Sequence, residues 1–143
     1  MIPPIVADTG GLLKALARTP GGQPSFPDYE KILVSAAAVI VPGLVLVEVD
    51  YFLRSDRKAM RKLVAEIFDP STRYEYELPL PADIARAMEL DGKFHALGLG
   101  LVDGTVAAVA ERRQIYRVLT TDHHDFAAIR VGPHLRRALD LLP

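Results

Sequence analysis

Cysteine is absent from the 143 residues. That removes disulfides, thiolate zinc sites and a cysteine nucleophile together, and it fits a reducing, cytoplasmic home. An excess of one charge is missing too. Seventeen Lys and Arg stand against 18 Asp and Glu, for a formal net charge of −1, so bulk charge does not hold this chain on nucleic acid. A local basic patch, or a bound cation that offsets acids, remains open. No apolar run is long and clean enough to cross a bilayer. "VSAAAVIVPGLVLVEV" (34–49) is broken by Pro42-Gly43 and charged at Glu48, so it reads as a buried strand, a turn and a buried helix. The N-terminus reaches Pro3-Pro4 without a basic region, and no signal peptide is expected. Internal repeats and low-complexity segments are also lacking.

What is present is an ordinary globular balance, 50% hydrophobic and 24% charged, in a length that suits one domain over residues 1–143 with a real core. Strands are expected at "PIVAD" (4–8), "AVIVP" (38–42), "RYEYELPL" (73–80) and "YRVLTTD" (116–122). Helical spacing runs through 9–18, through 28–38 with Asp28 as cap, and through 43–55. Further helices are expected at 56–69, capped by Ser55 or Asp56, at 81–97 behind Pro81, and at 101–113. The Gly/Pro-rich stretch 19–27 is the expected flexible loop, and the tail after 122 has no clear pattern. Strands alternating with helices predict a parallel sheet covered on both faces, a three-layer α/β/α sandwich.

That expectation decides how to read "VADTGG" (6–11). Asp-Thr-Gly surrounds the catalytic aspartate of aspartic proteases, but those folds are almost entirely β, and with no second triplet in this chain only a homodimer could supply one. Asp8 instead ends the first strand, and Asp122 ends the last clear one. Ligand sites of open parallel sheets lie beyond those carboxyl ends. Each of the two acids is open to a plainer reading as the N-cap of the following helix.

Glu48 shares a helix face with Leu44, Val45, Tyr51 and Phe52, whereas Asp50 lies about 200° around the wheel at 100° per residue. A carboxylate on an apolar stripe needs a partner, either a buried arginine or a cation. Asp103, in "GLGLVDGTVAAVAERR", either caps its helix or needs a partner of its own. "TTDHHDF" adds Asp125, His123 and His124, but adjacent histidine side chains diverge and no zinc spacing supports them. Acids brought together by folding repel one another and some take up protons. An oxygen-only site of that kind selects a hard divalent ion, Mg²⁺ or Mn²⁺, the chemistry of phosphodiester hydrolysis.

In order, "IVADTGGLL", "VPGLVLVEVDYFLR", "LGLGLVDGTVAAVAERR" and "RVLTTDHHDF" resemble the four acid segments of the PIN-domain nucleases, and among them the VapC toxins of toxin–antitoxin pairs. The resemblance spans nearly the whole chain. It implies a PIN-like central parallel sheet with the acids at one end, and an Mg²⁺- or Mn²⁺-dependent endoribonuclease. Asp8 and Asp103 would be the main metal ligands, with Glu48 and Asp122 completing the pocket and Thr121 orienting Asp122. It also implies a homodimer and a small antitoxin whose tail covers the acids, an inserted arginine answering their charge. Gly10 departs from the pattern, since relatives often carry serine there, and His123-His124 stand where a basic residue is common.

RNA needs positive charge outside the acid pocket. "RSDRKAMRKL" supplies Arg54, Arg57, Lys58, Arg61 and Lys62, with 57/61 and 58/62 forming two basic ridges; a solvated helix face is the plainer account. Two other classes compete with the nuclease. One is a non-catalytic PIN-like module that binds RNA or a protein. The other is a response-regulator receiver, which needs an early acidic pair and a lysine after the last strand; here Asp8 stands alone and "TTDHHDF" has no lysine.

Overall fold

A computed structural model describes all 143 residues. Five strands form one wholly parallel sheet in the order β3-β2-β1-β4-β7, from β1 (Ile5–Ala7), β2 (Val39–Pro42), β3 (Tyr74–Glu77), β4 (Arg117–Leu119) and β7 (Asp140–Leu142). Residues Ile5 to Ala7, Val39 to Pro42, Val118 and Leu119 are all buried. Central strands of a parallel sheet covered on both faces read as continuous apolar runs, as here. The edge strand β3 alternates Tyr and Glu instead, and charge at an edge discourages pairing with a foreign strand.

The helices are α1 (Thr9–Leu16), α2 (Pro27–Ser35), α3 (Gly43–Phe52), α4 (Arg57–Ile67), α5 (Pro81–Lys93), α6 (Gly100–Arg113) and α7 (His123–Ala128). A two-stranded antiparallel pair, β5 (Arg130–Val131) and β6 (Arg137–Ala138), completes the tail. The α/β layering is therefore as expected, and no helix is long and apolar enough to cross a membrane.

Several boundaries differ for local reasons. Pro27, not Asp28, starts α2, because proline at the first helical position lacks only an N–H that has no partner there anyway. Asp56 rather than Ser55 caps α4, accepting the Ala59 N–H at 3.2 Å. No separate turn follows β2: α3 begins at Gly43, and only Gly43, Val45 and Val49 of it are buried. The strand expected over 73–80 stops at Glu77, where Leu78-Pro79-Leu80 leads into α5. The stretch 19–27 is closed as a turn by Thr19 N–H to Gln23 O and Gly22 N–H to Thr19 O.

Two features fix the end of the sheet that matters. Chain order reverses beside β1, since β2 pairs on one side of it and β4 on the other. The carboxyl ends of β1 and β4 flank that switch point, where such folds open a crevice. Helix α1 also packs hard against β4, because a Cβ on Gly11 would meet the Leu119 carbonyl and stand 2.8 Å from Thr120 N. Only glycine allows that approach.

Helix α6 is anchored at its far end. Arg112 binds Asp83 of α5 through two nitrogens at 2.8 and 3.0 Å and reaches Glu77 of β3 at 3.3 Å. Arg86 of α5 grips Glu111 with two bonds of 2.9 Å. Paired forks of this geometry set orientation as well as energy. They hold the helix whose first turn carries Asp103.

Candidate active site

Asp8 follows β1 directly and is only 5% exposed. It stands at the N-cap position of α1, yet its carboxylate makes no capping bond. Oδ2 accepts a hydrogen bond from the Thr120 hydroxyl at 2.8 Å, while Oδ1 is buried without any partner. A buried, unpaired carboxylate oxygen is expensive. Burial pushes the Asp8 carboxyl above its ordinary range, the Thr120 hydroxyl and the Thr9 amide pull it back, and the charges of Glu48 and Asp122 push it up again. The neighbouring Thr9 hydroxyl is likewise buried and unpartnered.

Asp103 lies in the first turn of α6, past the cap position at Leu99, so capping does not account for it. Its carboxyl is pushed up to about 7, by burial first and then by the charges of Asp8, Asp122, Glu48 and Asp125. Those four influences come from residues up to 95 positions away in the chain. Folding has drawn the acids into one electrostatic neighbourhood.

An open cleft of ≈ 410 Å³ is lined by Asp8, Glu48, Asp103, Thr9, Gly10 and Thr121, with Lys14 and Phe52 at its walls. Glu48 reaches it from α3, but only one end of the stripe it shares, at Val45, is core. Tyr51 and Phe52 are exposed, and Glu48 itself is half-buried, so it sits at the mouth of the cleft and escapes full desolvation. Asp50 is spent on Arg57, 2.6 Å away. A larger cavity of ≈ 760 Å³ opens elsewhere, between α1, α2, α4 and β3. Its Glu30, Asp56 and Glu66 are interspersed with Arg18, Lys62 and Arg73, so no surplus charge gathers there.

Asp122 does cap a helix: Oδ1 accepts the Asp125 N–H at 3.0 Å at the start of α7. Asp125 stands half-buried beside His124, whose Nδ1 is 3.0 Å from Oδ1 of Asp125. His123 donates from Nε2 to the Thr120 carbonyl. Both histidines are thereby engaged at the surface end of α7. Nowhere do three acids or histidines stand close enough to enclose one ion by themselves.

The threonine expected to orient Asp122 is the wrong one by a single residue. Thr120, fully buried, donates to Asp8 and accepts the Asp122 N–H at 2.9 Å. Thr121 points instead toward α1, where a Cβ on Gly10 would collide with its hydroxyl. The glycine that departs from the pattern and the exposed threonine thus share one space. Neighbouring side chains leave an extended chain on opposite sides, so only one of the two threonines can face Asp8. Thr120→Val will remove a donor and an acceptor from buried partners, destabilising the protein by about 2–3 kcal/mol. Thr120→Ser will recover most of it, as read by urea denaturation.

A parallel sheet with helices on both faces and acids at its switch point defines an α/β protein with an acidic cleft, and comparison narrows the class. The PIN domain model matches residues 5–132, and the chain belongs to the PIN domain family. Among solved structures it is similar to VapC20 of Mycobacterium tuberculosis, described as a sarcin–ricin loop cleaving toxin. The identity is 23% over 90% of this chain and 99% of that one, with a TM-score of 0.70. FitAcB of Neisseria gonorrhoeae is 20% identical over 85% of this chain and 90% of that one, with a TM-score of 0.55. At these identities the likeness is one of fold. No curated protein matches the chain.

Proposed function

We propose that this PIN-domain protein is a divalent-metal-dependent endoribonuclease acting as the toxin of a toxin–antitoxin pair. The observation that carries the reading is the buried, unpartnered Oδ1 of Asp8 in a cleft shared with Asp103 and Glu48. An unpaired carboxylate oxygen beside like charges is what a cation corrects. The donor set is all oxygen, which suits Mg²⁺ or Mn²⁺. Magnesium is usually held by one or two carboxylates, its remaining places left to water and substrate phosphate, so a ready-made cage of three acids is not required.

Asp8 and Asp103 would hold the ion, with Glu48 and Asp122 secondary. When bound, the ion would polarise a phosphoryl oxygen and make water a stronger nucleophile. The chain's own residues do the rest. Thr120 keeps Asp8 aimed. Glu48, at the cleft mouth, orients a water and accepts its proton during attack on phosphorus. Asp122, whose Oδ1 caps α7, does not line the cleft but acts on Asp8 and Asp103 through its charge, and Asp125 adds negative charge at Asp103.

Arg54, Arg57, Lys58 and Arg61 would contact RNA phosphates outside the acids. Of these, Arg57 already answers Asp50, leaving Lys58 and Arg61 as the more available cations. Exposed Val47, Leu78 and Leu80 support a homodimer through α3 and the segment before α5, which meet where Gly43 packs on Pro79. The surplus negative charge suits capture of an arginine from a small antitoxin. The same fold, RNA as substrate and the lack of cysteine favour the cytoplasm.

The test is incubation of a mixed RNA pool with purified protein in Mn²⁺, Mg²⁺ or EDTA. Cleavage in either metal and none in EDTA is expected. Intact RNA in all three, with RNA still bound, would leave a non-catalytic RNA-binding module.

A further inference from the structure

We infer that two aromatic–cation platforms beside the acid cleft hold unpaired nucleobases on either side of the phosphate to be cut. This rests on the ribonuclease reading and adds what the substrate must present. The cleft wall contains Lys14 of α1 and Phe52 of α3. Each leads to a cluster. Lys14 Nζ lies 4.8 Å from the ring centre of Phe26 and 5.3 Å from that of Tyr29, and the two rings meet edge to face at 6.3 Å. Phe52 meets Tyr51 edge to face at 5.6 Å, and the Arg54 guanidinium lies 4.2 Å from the Tyr51 ring.

Three of these rings are not core, while Tyr29 is half-buried against it. Tyr51 is 59% exposed, Phe52 55% and Phe26 40%, in a chain with only ten Phe and Tyr together. Lys14 lies over both rings of the first pair and Arg54 over Tyr51 of the second, while Phe52 carries no cation of its own. Both clusters join an exposed aromatic surface to a positive charge that the acids lack.

The electrostatics explain why such platforms are needed. Four to five carboxylates repel a polyanion, and the net charge of −1 offers no general attraction. Phosphate contacts from the neighbouring cations are therefore supplemented at this cleft by short-range contacts that do not depend on phosphate charge. Stacking on aromatic rings supplies that, with any base, and Arg and Lys beside the rings add cation–π and phosphate contacts. Bases inside a duplex present no free face, so the ligand is single-stranded or looped RNA.

The experiment uses the full chain carrying Asp8→Asn, to prevent cleavage, and an eight-nucleotide RNA containing 2-aminopurine. Binding is read by anisotropy and stacking by quenching of the 2-aminopurine fluorescence. We expect quenching on binding, and no comparable affinity for a blunt RNA duplex. Phe52→Ala and Phe26→Ala will each weaken binding about tenfold, of the order seen when one stacked base loses its ring, with an unchanged salt slope. Lys14→Ala will weaken binding and lower that slope. Phe26 and Phe52 are exposed and Lys14 is half-buried, and unchanged melting temperatures will certify the fold. Affinity and quenching indifferent to Phe26, Tyr51 and Phe52 overturn the platforms while leaving the nuclease reading intact, and would assign the rings to a protein partner. Absence of any RNA binding by the parent overturns both.

Discussion

Asp8→Asn will reduce RNA cleavage at least about 10²–10³-fold, the order lost when one strong electrostatic contact to the reacting centre is removed. It will do so without unfolding the protein. Asparagine has the same shape and keeps a carbonyl oxygen to accept the Thr120 hydroxyl, the one hydrogen bond Asp8 makes through its side chain. What disappears is charge, and that charge is a burden in metal-free protein, because burial and the fields of Glu48 and Asp122 both oppose it. The variant should therefore melt no lower than the parent in EDTA, and gain less from Mn²⁺. Cleavage assays paired with melts separate the outcomes. Loss of activity with preserved melting assigns Asp8 to the chemistry. Loss of both assigns it to the framework. Preserved cleavage would remove it from the site altogether.

Asp8 also shows what could be read in the sequence and what could not. Its place after a buried strand was plain from "PIVAD", and the apolar runs of β1, β2 and β4 were equally plain, because full burial leaves a composition that local reading detects. The acids on α3 and α6 were visible as charges out of keeping with their neighbours. Their partners were not visible. Asp103 owes its raised affinity for a proton first to burial and then to acids on three other elements, and no local pattern encodes that. Thr120 was missed by one position because β4 is buried on both faces, at Val118 and Leu119 alike, so no polar–apolar alternation marks which of the two hydroxyls turns toward Asp8. The tail failed for a related reason. Strands of two and three residues carry too few side chains to show a period, and β7 is a strand only because β4 lies beside it, with Val118 opposite Leu141. The apolar stripe around Glu48 joins buried Val45 to exposed Tyr51 and Phe52, and amphipathic spacing does not distinguish a core from a binding surface.

The pH dependence of stability follows from Asp103 and has a sign opposite to that of most surface acids. A carboxyl held near 7 in the folded protein, against 3.8 when unperturbed, keeps its proton in the native state after the unfolded chain has released its own. Stability changes with pH in proportion to protons bound unfolded minus protons bound native. That difference is negative between about pH 4 and pH 7, so metal-free protein loses stability as pH rises through this window and levels off above it. Asp8, shifted the same way, steepens the loss. Asp83 and Glu111 work at lower pH, since their arginine partners outweigh burial and hold both carboxyls below the usual range. At 1.36 kcal/mol per pH unit the Asp103 effect approaches about 4 kcal/mol, but solvent reaches this side chain and screening reduces it to about 1–2 kcal/mol. Asp103→Asn should remove most of the slope, and at pH 8 in EDTA it should melt about 3–6 °C above the parent. A divalent ion reverses the comparison, because its ligands must be deprotonated and binding to the native state alone stabilises it by mass action. Mn²⁺ should raise the parent's melting temperature strongly at pH 8, little at pH 5.5, and hardly at all in Asp103→Asn. A variant that melts lower than the parent at every pH in EDTA would make Asp103 a structural residue, and a metal response equal at both pH values would place the ion away from these acids.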